Sequence, residues 1–100
     1  MQHFVVLTEQ GETWDTARPM REQPGWADHA SFMNSLVDDD FVLLGGPISG
    51  GRTHRARLIV RAPDEGAVRE RLGADPWAKS GMLRVLSVEP WHILLSKEGP

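Results

Sequence analysis

The chain predicts an α+β domain made of two successive β-α-β halves, and three observations predict it. Apolar runs of strand length stand near both ends and in the middle, an amphipathic stretch of helical period separates the first two runs, and a shorter stretch opened by Pro and acids and closed by Gly precedes the last. At 100 residues there is room for one hydrophobic core and one domain, here taken as 1–100.

Residues 2–8, QHFVVLT, place Phe4 and Val6 on one face and Val5 and Leu7 on the other, so this strand is expected to be covered on both sides. Residues 9–25 carry Gly11, Pro19, Pro24 and Gly25 among polar residues and form a long loop of the kind that often serves as a lid or binding loop. From Trp26 the period changes. Trp26, His29, Ala30, Met33, Leu36 and Val37 recur at three- and four-residue steps, which puts them on one face of a helix. The run Asp38, Asp39, Asp40 should end that helix, because the C-terminal end of the helix dipole is already negative.

FVLLGGPI (41–48) is a short apolar run that predicts a buried second strand. The pair Gly50 and Gly51 turns the chain into RARLIVRA (55–62), where Ala56, Leu58 and Val60 share one face and Arg55, Arg57, Ile59 and Arg61 the other. PDEGAVRERLG (63–73) has the opening and closing residues of a short helix. GADPWAKSG (73–81) then reads as a connection to MLRVLSVEPWHILL (82–95), a last strand whose Pro90 demands an edge or a bulge.

The order β-α-β-β-α-β is the split β-α-β, or ferredoxin-like, arrangement with an antiparallel sheet. The right-handed crossover rule makes the first two strands parallel, puts the third antiparallel between them, and leaves the fourth beside the first. Both helices then cover one sheet face. The other face keeps Val5, Leu7 and Ile59, more apolar surface than a small monomer leaves wet, which predicts a homodimer stacked sheet on sheet.

This topology brings distant residues to one end of the sheet. The first helix starts there, the second helix ends there, and the Gly45, Gly46, Pro47 turn arrives there. His29 and Asp75 therefore fall at the same end, beside a turn whose backbone is open to a ligand. Imidazole titrates near ~6.5, so it can give or take a proton at neutral pH, and a carboxylate on one ring nitrogen fixes the tautomer and stabilises the protonated form. In that reading His29 acts and Asp75 orients it. The same residues also fit a purely structural role, a core-edge histidine satisfied by a capping acid.

The histidine in WADHASFMNSL, the Gly-Gly-Pro ending of the second strand in VDDDFVLLGGPI, the Asp-Pro-Trp of APDEGAVRERLGADPWAKSGM, and the final VEPWHI together resemble the YciI-like (YCII-related) family over nearly the whole chain. The resemblance implies a dimeric ferredoxin-like fold of the dimeric α/β-barrel type. It also implies His29 and Asp75 as the active-site pair. One activity in that group is dehydrochlorination of a chlorinated hydroxyhydroquinone, and the fold is similar to that of muconolactone isomerase. The long loop EQGETWDTARPMREQPG departs from short members of the family, so a substrate does not carry over.

The remaining features narrow the possibilities. A net charge of −3 offers nothing to nucleic acid or to an anionic membrane, and no apolar run reaches the ~18 residues of a membrane span, so a cytoplasmic protein is expected. The absence of cysteine excludes disulfides and thiolate chemistry. His3, His29, His54 and His92 lack ligand spacing, so no metal and no cofactor are expected. RTHRAR (52–57) reads as a solvated basic strand face, and Trp26, Trp77 and Trp91 as core. Gly46, Pro47, Trp77 and the loop residue Trp14 are the expected substrate contacts. Three functions remain open: a cofactor-independent lyase or isomerase on a small aromatic or enol-type molecule, a non-catalytic small-molecule binder, and a structural dimer module.

Overall fold

The first strand, β1 (Gln2–Gln10), is an inner member of a four-stranded sheet ordered β2-β3-β1-β4, in which every neighbouring pair is antiparallel. These relations come from a computed structural model that describes residues 1–99; Pro100 lies outside them. The remaining strands and α-helices are α1 (Trp26–Asp38), β2 (Val42–Pro47), β3 (Arg55–Ala62), α2 (Glu65–Gly73), α3 (Pro76–Ser80) and β4 (Leu83–Trp91), with one 3-10 turn (Met20–Glu22) in the loop between β1 and α1. The strand order is that of the ferredoxin-like α+β fold, with β3 between the parallel pair β1 and β2 and with β4 beside β1.

The side chains obey the strand period. Phe4, Val6, Leu58, Val60 and Val88 point to the helix-covered face and form one buried cluster with Leu36 of α1 and with Val68 and Leu72 of α2. On the opposite face Val5 and Leu7 are half-buried, flanked by Arg57 and Arg61 of β3 and by Glu89 of β4. β2 corrects an expectation. Its apolar run suggested burial, but it is an edge strand in which only Val42 is buried and Leu44 is 66% exposed. A continuous apolar run records side chains available for contact, not whether this chain supplies the contact. Trp91, at the end of the other edge, is likewise 45% exposed rather than core.

Pro90 sits on edge strand β4, where a missing donor costs no interior ladder bond. The bulge lies nearby but elsewhere, at Leu86, where the register against β1 slips between Leu7 and Thr8. β4 ends at Trp91, short of the apolar residues Ile93, Leu94 and Leu95 that its sequence run includes.

α1 stops by geometry as well as by charge. Asp40 adopts a left-handed conformation (φ 60°), the amide of Asp40 bonds Val37 O, and the amide of Phe41 reaches back to Leu36 O. These are the two bonds of a Schellman motif, with aspartate in the position glycine usually takes and with Phe41 and Leu36 joined in the core behind it. The loop after β1 is also ordered by a side chain. Buried Gln23 accepts from the amide of Asp15 (3.0 Å) and donates to the carbonyls of Asp15 (2.6 Å) and Arg18 (2.8 Å), closing the loop on itself.

Candidate active site

α3 is the element the sequence did not reveal as a helix. Asp75 is its N-cap, accepting from the amide of Trp77 at 2.9 Å, Pro76 fills the first helical position, and Gly81 caps the other end. Proline is tolerated at the first position because its missing N–H would have no helical partner there. Five residues are too few to show a period, so Asp-Pro followed by a glycine was the one available signal.

The cap fixes Asp75 where α1 begins. His29, one turn into α1, has its Nδ1 at 2.8 Å from Asp75 Oδ2 and 3.0 Å from Oδ1, although the two residues are 46 positions apart in sequence. An ionised carboxylate can only accept, so Nδ1 carries the hydrogen and Nε2 is the ring's free nitrogen. Asp75 is only 6% exposed, and both of its oxygens are occupied by His29 and by the α3 cap. Nε2 has no hydrogen-bond partner among the described residues, yet no side-chain nitrogen or oxygen is both buried and unpaired there. Nε2 is therefore open, on a residue that lines a cavity.

Trp77 sets the plane of the imidazole. Its indole, 1% exposed, lies parallel to His29 with centroids 4.0 Å apart and planes 9° apart, and its Nε1 donates to Pro24 O at 2.8 Å. Gly25 follows as the N-cap of α1 with φ 78°, and a β-carbon there would stand 3.3 Å from the indole nitrogen. Glycine meets both the dihedral and the close approach.

The cavity measures about 270 Å³, the size of a small organic molecule. Trp26, His29, Met33 and Val37 contribute one stripe of α1, while Gly45, Gly46 and Pro47 close the end of β2. A β-carbon at Gly45 would collide with Leu58 Cδ2 and stand 3.0 Å from Arg57 O, so glycine there lets β2 lie close against β3 without displacing the Leu58 side chain. Asp75, Trp77, Gly46 and Pro47 thus line one cavity with His29. Trp14 stands one layer out, stacked on His54 at 4.3 Å and edge-on to Trp77 at 5.6 Å, and is not among the lining residues.

His54 and Arg84 also line the cavity, where the sequence pattern did not place them. Parity could have found His54: it continues the series Val60, Leu58, Ala56 on the helix-covered face, opposite Arg55, Arg57 and Arg61. Burial, and then the positive charge His29 can carry, hold the His54 imidazole below its ordinary value of 6.5. Arg84 is paired with Glu9 Oε2 at 2.6 Å. Among the described residues no group of three or more His, Asp or Glu side chains is arranged to hold a metal ion, and no helix is long and apolar enough to cross a membrane.

Fold and site define an α+β domain of ferredoxin-like topology with a small-molecule-sized cavity at one end of its sheet. That fold is shared with 5-chloro-2-hydroxyhydroquinone dehydrochlorinase from Burkholderia phenoliruptrix AC1100, solved in complex with 2,5-dihydroxybenzoquinone. The two match at a TM-score of 0.59 over 97% of this chain and 99% of that one, with 15% sequence identity. No protein-family model matches the chain, and no curated protein does.

Proposed function

We propose that this chain is a YciI-like enzyme that moves a proton on a small aromatic or enol-type molecule, in a lyase or isomerase step that needs no cofactor. His29 is the general acid or base, and Asp75 orients it. The observation that carries this reading is the division of the imidazole: Nδ1 is held by a buried carboxylate while Nε2 is unpaired and accessible on a residue that lines the cavity. A histidine serving only as a core-edge residue has no need of a free nitrogen at a cavity wall. Gly46, Pro47 and Trp77 contact the substrate, and Trp14 braces the wall from behind. The fold shared with a dehydrochlorinase supports the reaction class.

The reading includes a homodimer through the sheet face away from the helices, where half-buried Val5 and Leu7 lie near exposed Leu44; Ile59, expected to be left wet there, is already buried at 7% exposure within the single chain. Sedimentation of the wild type as a dimer and of Leu44→Lys as a monomer supports it; a monomeric wild type at micromolar concentration removes it.

Turnover is tested by chloride release from 5-chloro-2-hydroxyhydroquinone. Wild type is expected to release chloride, and His29→Gln to lose it with an unchanged melting temperature. A wild type that binds 2,5-dihydroxybenzoquinone but converts nothing is a binding protein, and the enzymatic reading fails.

A further inference from the structure

His29 is not the only imidazole at the cavity. His54, entering β3, lines the same space, and its ring lies on Trp14 within 10° of parallel. Trp14 meets Trp77 edge-on, and Trp77 lies flat on His29, so the two histidines are the outer members of one aromatic array. Packing of this kind fixes both rings and hence their separation. The backbone of His54 is tied twice to Gln10: its amide donates to Gln10 Oε1 at 2.7 Å and its carbonyl accepts from the amide of Gln10 at 2.9 Å. Its ring nitrogens have no partner among the described residues and neither is fully enclosed, although the residue as a whole is partly buried.

The two rings differ in what stands behind them. His29 has the Asp75 carboxylate at its Nδ1, whereas His54 has an indole and no acid. The charged or titratable groups that line the cavity with His54 are His29 on α1, Asp75 ahead of α3 and Arg84 on β4, the last paired with Glu9 on β1, and Arg52 and Arg55 flank His54 in sequence. The one carboxylate among the cavity-lining residues is already engaged by His29.

We infer that His54 is a second catalytic residue of this cavity, the imidazole that accepts the substrate's proton while His29 delivers one. This rests on the proton-transfer reading above. A ring nitrogen of His54 forms an N–H bond as a substrate C–H or O–H bond breaks, and the electron pair of that bond moves into the substrate's π system. The Nε2–H bond of a protonated His29 breaks in turn, and its proton joins a second substrate atom. The positive charge passes from His29 to His54, exchange with solvent restores the starting state, and no electron enters or leaves. Burial and the charge of His29 keep His54 free of a proton, as an acceptor must be.

The test has two arms. Ring-nitrogen NMR of the free protein follows His54 across pH in wild type and in His29→Gln; its midpoint is expected below the ordinary imidazole value and to rise when His29 is replaced. An unmoved midpoint overturns the pairing, whatever the turnover. In the second arm His54→Phe keeps a ring on Trp14 but removes the nitrogens. In the turnover assay above, kcat is expected to fall by about a hundredfold or more with KM little changed. Full kcat in His54→Phe overturns the inference while leaving the function of His29 intact. A wild type without turnover but with the coupled titration refutes the proposed reaction and leaves the pairing supported. If His54→Phe fails to fold, His54→Gln is measured in its place: a comparable fall in kcat supports the inference, and full kcat overturns it.

Discussion

The imidazole of His29 lies flat on the indole of Trp77, 4.0 Å centroid to centroid, and both residues are bonded to the same carboxylate, that of Asp75. One acid therefore caps a helix, orients a histidine and, through the cap, positions the surface on which that histidine rests. The two duties of Asp75 are separable, because asparagine caps helices about as well as aspartate but carries no charge.

Asp75→Asn is expected to keep the fold, with melting close to wild type, and to lose turnover. Asp75→Ala is expected to lose the cap as well, at about 0.5–2 kcal/mol of stability by denaturant titration. Equal stability losses in the two variants would show that the His29 contact, and not the cap, holds the chain together.

Trp77→Ala removes a large buried side chain and is expected to cost about 3–5 kcal/mol. Trp77→Phe retains a ring under His29 but abandons the bond from Nε1 to Pro24 O, so a smaller loss is expected, about 1–3 kcal/mol. Chemical denaturation of both variants checks the ranking.

Gly25→Ala forces a β-carbon into a left-handed conformation beside the indole, with an expected loss of about 1–2 kcal/mol. Asp40, also left-handed, has no such neighbour among its bonds, and Asp40→Gly is expected to raise stability by relieving the same strain. A melting temperature that falls in Asp40→Gly would mean the carboxylate has a role of its own.

Stability should depend on pH through His54. Its folded value lies below its unfolded value of 6.5, so in acid the unfolded chain binds the proton first. The contribution is unfavourable to folding, absent above the unfolded value and growing as the pH drops through it towards the folded one. Thermal melts of wild type and His54→Phe should diverge below about pH 6.5, with the variant losing less on acidification. Parallel curves would remove His54 as the source.

Much of this arrangement is legible in the sequence because it is periodic. The step pattern of Trp26, His29, Met33 and Leu36 marks α1, and the crossover rule then carries His29, Asp75 and the turn at Gly46 and Pro47 to one end of the sheet. α3 escapes because a single turn of helix has no period, and its cap residues also suit a plain turn. His54 escapes for another reason. Its neighbours Arg52, Arg55 and Arg57 give the segment a solvated composition, while its own burial is decided by Trp14, brought from a loop whose path depends on Gln23. Exposure of β2 escapes because an apolar run does not announce which side of it is an edge.

Trp14, Trp26 and Trp77 belong to the aromatic cluster beside the cavity, whereas Trp91 lies at the far end of an edge strand. The indole emission of this chain is thus weighted towards the very wall a ligand would touch. A molecule entering the cavity changes the surroundings of Trp26 and Trp77 directly and reaches Trp14 through its neighbour, so occupancy can be followed optically in the unlabelled chain. Replacing Trp91 with phenylalanine would remove the one distant emitter and leave a signal that belongs to the cavity alone.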